Sequence, residues 1–138
     1  MEGTKTTVIQ TDDAPKAVGP YAQGRTISGG AQLLFTSGQI GLDPKTSKLV
    51  SDDVVEQAEQ ALNNLKAVLE SGNSSMDNVI KTVVFLVDMA DFVRMNELYA
   101  KKFKEPFPAR STVAVKQLPL GAKFEIEAVA YVNAPAKP

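Results

Sequence analysis

Pro106-Phe107-Pro108-Ala109-Arg110-Ser111-Thr112-Val113-Ala114-Val115-Lys116-Gln117-Leu118-Pro119-Leu120-Gly121-Ala122-Lys123-Phe124-Glu125-Ile126-Glu127-Ala128-Val129-Ala130-Tyr131 holds two alternations separated by a break. Pro106 and Pro108 fix an extended start, after which Ser111, Val113 and Val115 alternate with Arg110, Thr112 and Ala114 at the period of a half-buried strand. Leu118-Pro119-Leu120-Gly121 interrupts the pattern. Phe124, Ile126, Ala128, Ala130 and Val132 then alternate with Glu125, Glu127, Val129 and Tyr131 as a second strand. Paired as an antiparallel hairpin with Thr112 opposite Glu127, the two would gather Ser111, Val113, Val115, Phe124, Ile126 and Ala128 on one apolar face. The other register mixes apolar and charged residues on both faces, so burial selects the first. Arg110 and Glu127 would then share the opposite face near a diagonal cross-strand position. Such a pair is either an exposed ion pair of little energetic weight or part of a site.

Upstream, Thr6 to Gln10 reads as a short strand that ends in the polar run Thr11-Asp12-Asp13. Arg25 to Ser28 and Gln32 to Ser37 flank Gly29-Gly30-Ala31, the spacing of a hairpin. Asp53 and Glu56 stand at capping-box spacing before a helix whose Val54, Ala58, Ala61, Leu62, Leu65, Val68 and Leu69 form one stripe, with Gly72 placed to stop it. Val79 to Val87 is almost continuously apolar, as in a strand covered on both faces. Asp88 or Asp91 can cap a second helix with Phe92, Met95, Leu98, Tyr99 and Phe103 on its inner face. The expected architecture is α+β: a single mixed six-stranded sheet with both helices on one face, in one domain spanning 1–138. The other face needs cover, and oligomerisation is the simplest source of it.

Zero cysteines and zero histidines exclude disulfides, thiolate nucleophiles and the commonest metal ligands, and no Ser-His-Asp or Cys-His arrangement is possible. Acid or base chemistry falls to Asp, Glu, Tyr, Lys or a water. No metal or other cofactor is expected. A net charge of −1 offers no general attraction for nucleic acid, and no apolar segment is long enough to span a bilayer. Cytosol is the expected compartment, with mitochondrion or plastid the alternative for a chain that has lost a transit peptide. Two residues leave their roles open: Tyr21, in Gly19-Pro20-Tyr21, is a packing aromatic or a polar-tipped ligand contact, and Ser37 satisfies a turn or presents a donor where Gly38 admits a ligand.

Phe-Pro-Ala-Arg-Ser-Thr-Val-Ala-Val from Phe107, Leu-Pro-Leu-Gly-Ala from Leu118 and Phe-Glu-Ile-Glu-Ala-Val-Ala from Phe124 closely resemble the C-terminal signature of the RidA/YjgF family. The match continues through Gly19-Pro20-Tyr21, Phe35-Thr36-Ser37-Gly38-Gln39-Ile40 and Val79 to Leu86, over nearly the whole chain in family order. The resemblance implies a chorismate-mutase-like fold, a homotrimer with a cleft at each subunit boundary, and hydrolysis of reactive enamines and imines such as 2-aminoacrylate, 2-iminopropanoate and 2-iminobutanoate to 2-keto acids and ammonia. It further implies Arg110 on the substrate carboxylate and Glu127 orienting or deprotonating water. Tyr21 and Ser37 are implied as hydrogen-bonding partners, with Asn96 near the cleft. Thr112, where many relatives have cysteine, would contact the amino group through its backbone. The competing readings are a carboxylate-binding regulatory trimer without catalysis, which retention of Arg110 and Glu127 disfavours, and an RNA-cleaving or translation-inhibiting protein, which the missing histidines and near-neutral charge disfavour.

Overall fold

The computed structural model describes residues 3–134; residues 1–2 and 135–138, which the single-domain expectation includes, lie outside the described residues. The element order is β1 (Lys5–Ile9), β2 (Gly24–Ser28), β3 (Leu33–Phe35), β4 (Gln39–Ile40), α1 (Val54–Ser71), β5 (Val79–Leu86), α2 (Phe92–Lys102), β6 (Ala109–Ala114) and β7 (Phe124–Tyr131). The α+β class holds. The single six-stranded sheet does not, because β1 and β2 form a separate antiparallel ribbon, while the main sheet runs β3-β7-β5-β6 with β4 also paired to β7. The hairpin expected around Gly29-Gly30 is accordingly absent: β2 takes β1 as its partner and β3 takes β7.

The expected pairing of β6 with β7 is also overturned. β5 lies between them, parallel to β6 and antiparallel to β7. Its long, β-branched apolar run is in keeping with a central strand flanked on both edges. The nine residues 115–123 between β6 and β7 are long enough to pass the end of β5, where Val115 N–H donates to the Leu86 carbonyl at 2.7 Å. The consequence for the two charges is direct. Arg110 pairs with Thr82 and so shares its face with Ala128, whereas Glu127 and Ser111 both pair with Val83 on the opposite face. Ser111 and Val113 therefore do not join Phe124, Ile126 and Ala128.

The helices cover the face that carries Thr82, Val84, Leu86, Phe124, Ile126, Ala128 and Ala130, all buried. Val54, Ala58, Ala61, Leu62, Leu65 and Leu69 of α1 and Met95 and Tyr99 of α2 complete that core. Truncating one of its leucines to alanine typically costs about 2–5 kcal/mol. Val68 is exposed, contrary to the expected stripe. Gln57 is buried in its stead, with Nε2 donating to the Ser51 carbonyl and Oε1 accepting from Lys123 N–H, both at 2.8 Å. Gly41 passes so close to the α1 backbone at Gln57 that a Cβ would have no room. Asp53 caps α1 by accepting from Glu56 N–H at 3.0 Å, but the reciprocal half of the capping box is replaced by Ser51, whose hydroxyl takes the Asp53 N–H. Asp88 caps the 3-10 turn Met89–Asp91 that leads into α2.

Candidate functional site

Arg110 enters the site because β6 is an edge strand whose helix-facing row lies under α2. There its guanidinium meets the rings of Tyr99, Tyr21 and Phe92 at 4.8, 5.5 and 5.7 Å from their centroids. Nη1 donates to Asn96 Oδ1 at 2.7 Å. Phe92, Asn96 and Tyr99 reach it together because positions four and seven residues apart fall on one face of a helix. Tyr99 is held by a 2.8 Å hydrogen bond with Thr82 Oγ1 and by contact with Phe103, and burial pushes its phenol up to about 12, so it stays neutral. Burial draws the Arg110 pKa downward, with the nearby Tyr99 and Tyr21 phenols working the other way. Among the described residues Arg110 has no carboxylate partner, the ion pairs being Arg94–Asp53 and Lys102–Glu59.

Tyr21 comes from the opposite end of the chain. Ala22 N–H donates to the Pro108 carbonyl at 3.1 Å and bridges to Ala109, which docks the turn at Gly19-Pro20 against the start of β6. Tyr21 N–H closes that turn on the Gly19 carbonyl at 2.8 Å, and its hydroxyl accepts from Val18 N–H at 3.2 Å. A cleft of about 270 Å³ results, lined by Tyr21, Met89, Phe92, Arg110 and Thr112. Thr112 Oγ1 is buried there without a hydrogen-bond partner among the described residues. A separate groove of about 320 Å³ between the helices carries Lys66, Lys101, Lys102 and Lys104. Two of these lysines lie in the last turn of α2, where cations complement the helix dipole.

The remaining predicted residues lie elsewhere. Ser37 is exposed between β3 and β4, with β7 and β5 between those strands and Arg110 on β6, and Glu127 is exposed on the open face of β7, with β5 between it and Arg110. The structure thus unites Arg110, Tyr21, Asn96 and Thr112 and separates them from Ser37 and Glu127. Sequence reasoning missed Glu125, which pairs with Ile40 and Phe85 and shares the open face with Glu127. Its carboxylate fills the space a Cβ on Gly38 would need, and its pKa is raised, first by burial and then by the charge of Glu127. Parity along a strand could not have chosen between them, since both point the same way. Among the described residues, no group of three or more His, Cys, Asp or Glu could hold a metal ion, and no helix is long and apolar enough to cross a membrane.

The family model described as Endoribonuclease L-PSP matches residues 11–132. A RutC family protein of Pyrococcus horikoshii is 49% identical over 124 residues, covering 90% of this chain and 96% of the relative. The 2-iminobutanoate/2-iminopropanoate deaminase of Homo sapiens is 46% identical over 123 residues, covering 89% and 88%. The chain belongs to the RidA/YjgF family. Its α+β arrangement of two helices and a mixed sheet is that of RidA/YjgF structures. The crystal structure of E. coli TdcF with bound serine is 39% identical, covers 91% of this chain and 98% of that one, and superposes with a TM-score of 0.68.

Proposed function

We propose that this RidA/YjgF protein is a metal-free deaminase that hydrolyses short 2-imino acids and their enamine tautomers to 2-keto acids and ammonia. The observation that carries the reading is Arg110, a half-buried cation boxed by three rings and anchored by a neutral amide, with no carboxylate partner among the described residues. A charge so placed favours an anionic ligand, and a guanidinium is shaped to take a carboxylate with two parallel hydrogen bonds. The name of the human relative and the serine bound to TdcF support a small amino-acid-like ligand.

Once its nitrogen is protonated, the C=N carbon accepts water directly, so positioning and one proton carrier suffice. Water oxygen bonds to that carbon as the π pair moves onto nitrogen, and a carboxylate takes the proton from the attacking water. The proton returns to nitrogen; the C–N bond then breaks with its electron pair leaving on ammonia, while an oxygen lone pair forms the C=O and the hydroxyl proton passes to the carboxylate, releasing the 2-keto acid. Glu127 is the residue the resemblance puts in this role; Glu125 suits it better, because a raised carboxyl pKa fits a group that must take and return a proton. Glu127 then acts as the neighbouring charge that keeps Glu125 raised. Tyr21 and Ser37 supply hydrogen bonds, the Thr112 main chain contacts the amino group, and Asn96 positions Arg110.

Arg110 lies on the helix-covered face of β6 and Glu125 on the open face of β7, with β5 between them, which supports a site completed between copies. The open sheet face, on which Phe35 remains 70% exposed, is covered when three copies turn it inward as a homotrimer. Following imines made in situ by an amino-acid oxidase, with and without the protein, tests catalysis. Loss no faster than the spontaneous rate would leave a carboxylate-binding trimer, and a monomer at low micromolar concentration in sedimentation equilibrium would remove the shared site.

A further inference from the structure

Imine hydrolysis engages a carboxylate, the C=N group and a water, and none of these needs the wall of the Arg110 cleft that Met89 provides. Met89 opens the turn Met89–Asp91, whose backbone is fixed by Ala90 N–H on Asp88 Oδ1 at 2.9 Å and Asp91 N–H on the Asp88 carbonyl at 3.1 Å. Its side chain is not part of the core and stays 45% exposed, on the lining that also contains Arg110. Phe92 extends the same apolar wall and is itself held against the core. A thioether side chain on a fixed backbone offers a polarizable surface that adapts to apolar shapes. Met89 and Phe92 thus make one side of the cleft apolar beside Arg110, where a substrate chain longer than methyl would meet the thioether.

We infer that Met89 is a specificity-determining residue: it receives the side chain of the 2-imino acid and favours branched or straight aliphatic chains of three or more carbons over the methyl of 2-iminopropanoate. The inference rests on the reading of the Arg110 cleft as the imino-acid site.

The test compares pyruvate with 4-methyl-2-oxopentanoate by isothermal titration on wild type, Met89→Ala, Met89→Leu and Val93→Ala. Val93 is exposed on α2 and outside the cleft lining. The companion measurement is kcat/KM for the imines generated in situ from alanine and leucine. A hydrophobic contact of this size discriminates by about tenfold. Wild type should prefer the longer acid by about that factor, Met89→Ala should erase most of the preference, and Met89→Leu and Val93→Ala should keep it. Equal affinities in wild type, or a preference unmoved in Met89→Ala, would overturn the inference and leave the Arg110 site standing. Binding of neither acid would overturn both.

Discussion

Asn96→Asp adds to the site the one group Arg110 lacks, by exchanging a side-chain NH2 for oxygen at a position where Oδ1 already accepts from Nη1 at 2.7 Å. Opposite unit charges about 4 Å apart attract by roughly 4 kcal/mol at an effective dielectric of about 20. Arg110 is only half-buried, so solvent screening leaves a net stabilisation of about 1 kcal/mol. The ligand sees the reverse. Its carboxylate would approach a guanidinium that is already neutralised and would lose a charge-assisted contact worth about 1.5–3 kcal/mol, roughly a tenfold to hundredfold weakening. The variant should therefore unfold at higher denaturant while binding 2-oxobutanoate much more weakly in isothermal titration at pH 7. Arg110 holds the introduced carboxyl below the usual carboxylate range, so the gain in stability exists above that range and is lost as pH falls through the lowered value. Ligand affinity should return over the same interval. Unchanged affinity at pH 7, or a variant less stable than wild type, would refute the account of Arg110 as an anion receptor left open by the protein.

Arg110→Lys keeps the charge but cannot hold Asn96 and span two carboxylate oxygens in the same geometry, so kcat/KM should fall about tenfold to hundredfold with the fold intact; full activity would mark Arg110 as structural. Thr82→Val leaves the Tyr99 hydroxyl buried without its partner and should lower unfolding free energy by about 1–3 kcal/mol in a urea titration; no loss would mean that the Thr82–Tyr99 bond contributes nothing net. Glu125→Gln should reduce turnover while sparing 2-keto acid affinity, whereas Glu127→Gln should retain most turnover; the opposite ranking would reassign the proton carrier. Because the folded-state pKa of Glu125 is raised, its ionised form is disfavoured in the fold. Glu125→Gln should be the more stable protein at pH 7, and its advantage should shrink as pH falls through that raised value and vanish below the ordinary carboxylate range.

Local structure was legible because periodicity reports it. The β5 run, the α1 stripe and the two alternations of β6 and β7 all lie where their patterns place them, within a residue or two. Pairing was not legible, because adjacency in the chain suggested a β6–β7 hairpin and nothing local to either strand announced that β5 would come between them. The nearest sign was the long apolar run of β5, which suits a central strand and which the structure places between β6 and β7. That one error displaced Glu127 to the wrong side of Arg110. In the site, Arg110, Tyr21, Asn96 and Thr112 were recoverable from the family resemblance. Phe92 and Tyr99 read as ordinary apolar spacing and Met89 gave no signal, and the approach of Phe92 and Tyr99 to a charged group depends on how α2 crosses β6.

The position of β7 governs the order in which the molecule can be built. It is the last of the described strands, yet it pairs with β3, β4 and β5, which places a late segment in the middle of the sheet. During synthesis, the β5–α2–β6 unit can assemble from neighbouring segments and already contains the Arg110, Asn96 and Tyr99 contacts. The Glu125 half arrives only when β7 leaves the ribosome and inserts between partners separated from it by much of the chain, a slow, non-local step. Until then β3 and β5 present unpaired apolar edges. A chain cut short before Phe124 would keep most of its anion receptor, and those uncovered edges would make it prone to aggregate.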